Sequence, residues 1–262
     1  MAASLHRRLF PLVLTSLVGF AWITLWAWTR SPYGRYLEHG DGAASEPFSA
    51  LCRALPGGAL WLPAVLDAAA WTLMILAMML PTTLALFNAF ARVVANRPDQ
   101  ARLLALVGVG YVVVWSGFGL VAHGLHALVL TGVAHVPALA WRGWLIGAAV
   151  FALAGAFQFS WLKEHCLDRC RTPFSFVISR WRGRTPLRNA FALGASHGLF
   201  CVGCCWALML LMFVVGAGSL GWMLSLAALM AIEKNAAWGR QLTAPLGAAL
   251  FGVAMLIVAN HA

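Results

Sequence analysis

Charge is what this sequence has least of. Only 10% of its 262 residues are Asp, Glu, Lys or Arg, whereas soluble domains carry about 25%, and 62% of the chain is apolar. That shortage excludes an ordinary water-soluble globule and points to lipid. A cleavage site is missing as well. Arg7 and Arg8 precede the first apolar run as they would in a secretory leader. Its end, Trp22-Ile-Thr-Leu-Trp26-Ala-Trp28, offers no small-residue motif, so the run is expected to persist as a helix. Repeats and low-complexity tracts are absent, which leaves one domain over residues 1–262. No ATPase domain or phosphorylation motif is visible, and no C-x2-C-H for haem attachment occurs.

What is present is a series of apolar runs, several near the ~20 residues that cross a bilayer as helix. Seven can be drawn, at 9–28, 66–88, 103–123, 143–162, 198–216, 219–233 and 243–260. The sixth is short, and Gly216, Gly218 and Gly221 suggest a tight hairpin before it. The expected fold is an all-α, polytopic membrane helical bundle of about seven transmembrane helices with the N-terminus in the cytoplasm. That orientation puts 14 of the 18 basic residues inside, among them Arg92, Arg97, Arg102 and the Arg-rich stretch from Lys163 to Arg188, as the positive-inside rule requires. The net charge of +10 is then explained by topology and anionic lipid heads, and no nucleic-acid role is expected. Residues 29–65 become an outer loop and 163–196 a basic cytoplasmic loop. In the latter, "PFSFVISRWRGR" is amphipathic enough to lie along the inner headgroups.

Cysteine usage carries the chemistry. Cys52 lies alone in the outer loop, whereas Cys166, Cys170, Cys201, Cys204 and Cys205 fall inside the membrane or on its cytoplasmic side, where thiols stay reduced. Metal or thiol redox chemistry therefore fits better than a disulfide framework. In "HGLFCVGCCWALMLLMF", helical rotation of about 100° per residue sets Cys201, Cys204, Cys205 and Met212 within an arc of about 100° around His197, with Met209 at its shoulder. The stretch "KEHCLDRC" brings His165, Cys166 and Cys170 to the same membrane face, the two cysteines one turn apart if the helix continues to Pro173. Facing helices would join the two groups into one site. Its spacing, H-x3-C-x2-C-C, is not a zinc-finger pattern.

Methionine narrows the metal. Met74, Met78 and Met79 lie on the second span, Met74 and Met78 one turn apart, at a depth similar to Met209 and Met212 on the fifth. Thioethers suit Cu(I), so copper is favoured over zinc, with zinc kept as the second choice. Pro81 is expected to free the Ala77 carbonyl and kink the second span beside Met78. Asp67, His123, His126 and His135 lie towards the outer side, either as a second receiving site or as interfacial side chains. Glu233, at the inner end of the sixth span, is either functional or paired with Lys234 or Arg240.

The segments "WTLMILAMMLP", "FQFSWLKEHCLDRCRTPFSF", "HGLFCVGCCWALMLLMFVVG" and "MAIEKNAAWGR" together resemble a bacterial family described as predicted metal-binding integral membrane proteins, some members of which are labelled copper chaperones. The likeness covers roughly residues 66–258 and implies a multi-pass inner-membrane protein whose metal candidates here are His165, Cys166, Cys170, His197, Cys201, Cys204 and Cys205. Two departures stand out. Leu84-Ala85-Leu86 stands where many members carry a methionine, and Trp161 stands where they carry a proline, which would let the fourth span run unbroken into the His-Cys cluster. The function expected is Cu(I) binding and handover to a soluble metallochaperone or a copper enzyme, more as a carrier than as an enzyme. The alternatives are a quinone-linked thiol oxidoreductase using Cys201 and Cys204, and haem ligation by His123, His126 or His197.

Overall fold

The computed structural model describes residues 2–31, 61–135, 143–182, 185–216 and 219–261. Most of the outer loop of 29–65, with Cys52, lies outside the described residues. The described chain is helical: α1 Ala2–Thr29, α2 Trp61–Met78, α3 Leu84–Val93, α4 Gln100–His135, α5 Trp144–Gln158, α6 Trp161–Arg171, α7 Pro173–Arg180, α8 Pro186–Val215, α9 Leu220–Asn235 and α10 Thr243–Ala259, with 3-10 turns at Pro81–Thr83 and Gly239–Leu242. Four of these stretches are long and apolar enough to cross a membrane: α1 from Leu12, α4, α8, and α10 with the 3-10 turn before it. The count rises to six if each of two bent pairs, α2 with α3 and α5 with α6, forms one span. α9 has 16 residues, about 24 Å of helix, which is short for a hydrocarbon core of about 30 Å.

Both bends have local causes. Pro81 has no N–H for the Ala77 carbonyl, so α2 ends at Met78 and the chain turns by 45° through Pro81–Thr83 into α3. The freed Ala77 oxygen is not left bare, because Trp22 on α1 donates its indole N–H to it at 3.1 Å. The threonines after the proline bond back to Met79 and Leu80 carbonyls at 2.7 Å each. The second bend corrects a sequence expectation: the fourth span does not run unbroken past Trp161. α5 stops at Gln158, and Ser160, in extended backbone geometry, caps α6 by accepting from the Lys163 N–H, turning the axis by 63°. Ser is a strong N-cap, and this cap decides the geometry whatever follows it.

The stretch 163–196 is largely helical, although its arginines and two prolines read as a loop. Pro173 and Pro186 sit at the first turns of α7 and α8, where proline is tolerated because the missing N–H has no helical partner anyway. α8 therefore begins eleven residues before His197 and runs about 45 Å. α7 turns one apolar face inward, Phe176 and Val177 being buried, while Phe174 and Ile178 stay exposed.

The core is built around α8, which packs along α4 and against α6 and α5. Small residues make the close approach possible. A β-carbon at Gly194 would overlap the Val107 carbonyl of α4, and one at Gly110 would overlap the Phe191 carbonyl of α8. Small residues at such crossings let membrane helices pack backbone to backbone, where no hydrophobic drive separates helix from lipid. One continuous cluster of buried side chains includes the five described cysteines and seven methionines: Met74, Met78 and Met79 from α2 and its exit, Met209 and Met212 from α8, and Met223 and Met230 from α9.

Candidate metal centre

Three cysteines on α8 form the centre. The Sγ atoms of Cys201, Cys204 and Cys205 lie within 4.8 Å of one another, and all three side chains are buried. Helical rotation puts them on one face, and the backbone orients two of them. The Cys204 thiol donates to the Cys201 carbonyl at 3.1 Å, and the Cys205 thiol donates to the same oxygen at 2.8 Å. This is the back-bonding that small polar side chains make to the preceding turn.

α6 supplies further sulfur. Cys170 Sγ is 3.9 Å from Cys204 Sγ. Cys166 packs over Gly203, where a β-carbon would come within 2.6 Å of its sulfur, so Gly203 provides the space for that thiol. The exit of α2 supplies a thioether, Met79 Sδ, 4.0 Å from Cys205 Sγ. All five described cysteines are free thiols.

The remaining candidates are placed as follows. His197 is buried one turn before Cys201, its ring near Tyr111 and Phe176, and its Nδ1 has no hydrogen-bond partner among the described residues. His165 is only half-buried; its ring stacks on Trp161 at 5.1 Å and faces Phe200, on a different side of α6 from the cysteines. Met74, Met78, Met209 and Met212 are buried in the same core, while Met79 is the methionine whose sulfur meets a cysteine. Met79 directly follows the last residue of α2, which ends at Met78 ahead of Pro81. Towards the other end, His123 bonds the Gly119 carbonyl at 2.8 Å and packs edge-on to Trp71 and Phe213, with His126 against Phe213. These histidines belong to an aromatic cluster.

Sequence reasoning missed two polar groups that face the sulfurs. Lys234, at the end of α9, is 94% buried, and its Nζ lies 3.0 Å from Cys201 Sγ, 3.7 Å from Cys205 Sγ and 3.4 Å from Thr82 Oγ1. The Tyr111 hydroxyl, on α4, is 3.0 Å from Cys201 Sγ and 3.4 Å from the Met79 carbonyl. Cys201 thus accepts from Lys234 on α9 and shares a hydrogen bond with the Tyr111 hydroxyl on α4. A signal for Lys234 was available: it lies one turn beyond Met230, next to the buried stripe of Met223, Leu226 and Met230 on α9.

Glu233, next in sequence, points elsewhere. Both its oxygens accept from Lys163 Nζ at 2.9 Å, and the same ammonium donates to the Gln158 side-chain oxygen. Neither Lys234 nor Arg240 is the partner of Glu233. Arg240 instead reaches Glu164 and Asp168 of α6 at 3.8 and 3.5 Å. Arg171 donates to the Glu233 and Ala237 carbonyls. Lys163 and Arg171 therefore tie α6, which bears Cys170, to the end of α9, which bears Lys234, and Arg240 ties it to the 3-10 turn that follows.

The donor set suits a metal ion. Thiols and a thioether converge in the buried core, and a buried imidazole nitrogen without a partner among the described residues lies one turn away. A cysteine-lined metal-binding cluster within an all-helical bundle bearing membrane-length helices is the class of protein these features define. The family model described as PpoB2, copper chaperone, matches residues 68–257, well over half of the chain, and the chain belongs to that family. The description is of a chaperone, and the cysteines form a metal-binding cluster, not an obvious catalytic site. No curated protein and no solved structure matches the chain.

Proposed function

We propose that the protein is an inner-membrane carrier that binds Cu(I) at Cys201, Cys204, Cys205 and Cys170, with Cys166, Met79 and His197 at the margins of the site, and hands it to a soluble metallochaperone or a copper enzyme. The observation that carries this reading is the sulfur-rich set from three separate helical segments, with no carboxylate among the atoms that face one another. Thiolates serve Cu(I) and zinc alike, and it is the Met79 thioether beside Cys205 that favours Cu(I), since zinc takes thiolate, imidazole or carboxylate ligands. His165, whose ring stacks on Trp161, is left out of this proposed ligand set.

Handover needs no ATP hydrolysis, since exchange of Cu(I) between similar thiolate sets is nearly level in free energy. The buried methionines from α2, α8 and α9 give copper soft neighbours deeper in the core. The charge distribution supports a seven-pass arrangement with the N-terminus inside, which counts the short α9 as a span and puts the cysteine site at the cytoplasmic boundary.

The test is copper stoichiometry of the full chain, purified anaerobically in detergent and loaded with chelator-buffered Cu(I). Wild type is expected to retain Cu(I) with thiolate-to-copper charge-transfer absorption in the ultraviolet. The variant with Cys201, Cys204 and Cys205 all replaced by Ser is expected to retain none while melting as wild type does. Copper bound equally by that variant would end the proposal.

A further inference from the structure

Lys234 is out of place beside a cation site. A metal is drawn to the sulfurs by their negative charge, yet among the described residues the hydrogen-bond partners of this buried ammonium are two of those sulfurs and the Thr82 hydroxyl. The carboxylate next to it in sequence does not neutralise it, because Glu233 is engaged by Lys163 through both oxygens. The end of α9 is pinned by Arg171 on two carbonyls, Glu233 and Ala237, which holds the ammonium where it is.

We propose that Lys234 is a specificity-determining residue: its fixed positive charge against Cys201 and Cys205 makes the sulfur cluster favour monovalent over divalent metal ions. This inference rests on the reading of the cysteines as a soft-metal site. The energy of an ion in a site is its charge multiplied by the local potential. An ammonium added to a thiolate cluster raises that potential by a fixed amount, so it penalises a divalent ion twice as heavily as a monovalent one. The penalty acts at short range. Metal–thiolate bonds are about 2.3 Å long, so an ion on Cys201 would lie no more than about 5.3 Å from Nζ, given the 3.0 Å between Nζ and that sulfur. Charges this close in a buried site are little screened by salt. Softness of the ligands alone would favour Cd(II) as well as Cu(I) and Ag(I). The ammonium adds selection by charge, which softness cannot supply.

The experiment measures Cu(I), Ag(I), Zn(II) and Cd(II) affinities of the full chain in detergent by competition with chelators of known strength. It compares wild type with Lys234→Gln, Lys234→Leu and Lys234→Arg, methionine being avoided because its thioether would itself bind copper. Both neutral variants are expected to lose at least about tenfold in Cu(I)-over-Zn(II) and in Ag(I)-over-Cd(II) preference, tenfold being about 1.4 kcal/mol. The arginine variant, which keeps the charge, is expected to stay within about threefold of wild type. Cd(II) separates charge from softness, since it must follow Zn(II) and not Ag(I). Unchanged preference in the neutral variants, or equal loss of all four metals with an unchanged melting temperature, would overturn the role given to Lys234 and leave the copper site standing. A wild-type chain that binds neither Cu(I) nor Ag(I) would overturn both readings together.

Discussion

Two lysines are buried in this bundle, and they have opposite surroundings. Lys163 meets a carboxylate and an amide oxygen, and its charge is answered completely by Glu233 and Gln158. Lys234, one residue from that carboxylate along the chain, meets sulfur and a hydroxyl. The first is a closed pair that joins α6 to α9. The second is a charge whose counter-ions are the groups proposed to bind metal. A buried ion pair contributes little net stability compared with an apolar pair of the same shape, but it is costly to break on one side only. The difference teaches where structure ends and function begins in this bundle.

Breaking the closed side is expected to have the largest effect. Glu233→Leu leaves the Lys163 ammonium buried without its carboxylate and is expected to cost about 3–5 kcal/mol, read as a marked fall in melting temperature in detergent. Adding Lys163→Met to it should recover most of the loss, and failure to recover would show that the pair does more than close the α6–α9 contact. On the sulfur side the expected losses are in metal, not in folding. Tyr111→Phe removes the hydroxyl at 3.0 Å from Cys201 and is expected to weaken Cu(I) binding about 10- to 100-fold, the usual weight of groups that orient a metal ligand, with little change in melting. A chelator titration and a melting curve on one preparation separate the two effects.

Acidification sharpens the contrast. Thiols must lose protons to bind metal, so Cu(I) affinity is expected to fall as pH drops, and a flat profile would argue against cysteine ligation. The smallest effect belongs to a surface pair remote from both lysines. Hydrogen bonds from Arg97 hold the Asp99 carboxyl below the usual carboxylate range. Its contribution is therefore present above the ordinary carboxylate pKa and fades as pH falls through the lowered one. The pair is open to solvent, so Asp99→Asn is expected to leave the melting temperature unchanged within error at neutral pH.

The all-helical, membrane-length architecture was legible in the sequence because apolar run length and charge depletion are local properties. So was the break at Pro81, since the lost N–H follows from the residue itself. The donor that answers the freed Ala77 carbonyl was not, because Trp22 is 55 residues away. The break at Ser160 follows from its capping side chain, although Trp161 itself permits a helix. The cysteine face of α8 follows from helical period, whereas the orientation of α6 follows from the 63° turn that Ser160 sets. That turn decides that Cys166 and Cys170 face α8 while His165 stacks on Trp161. Lys234 reads as one more basic residue at an inner helix end. Only packing reveals that it turns into the core instead of out to the headgroups.

The bond from Trp22 to Ala77 has a consequence for how the molecule is divided. α1 lies outside residues 68–257, the part shared with the family, and none of the proposed copper ligands is on it. Yet its indole clasps the peptide group that proline sets loose, two residues before the thioether beside Cys205. The first helix thus serves as a splint for the proposed metal site, and a shortened chain that keeps every proposed ligand would hold them on an unsupported joint.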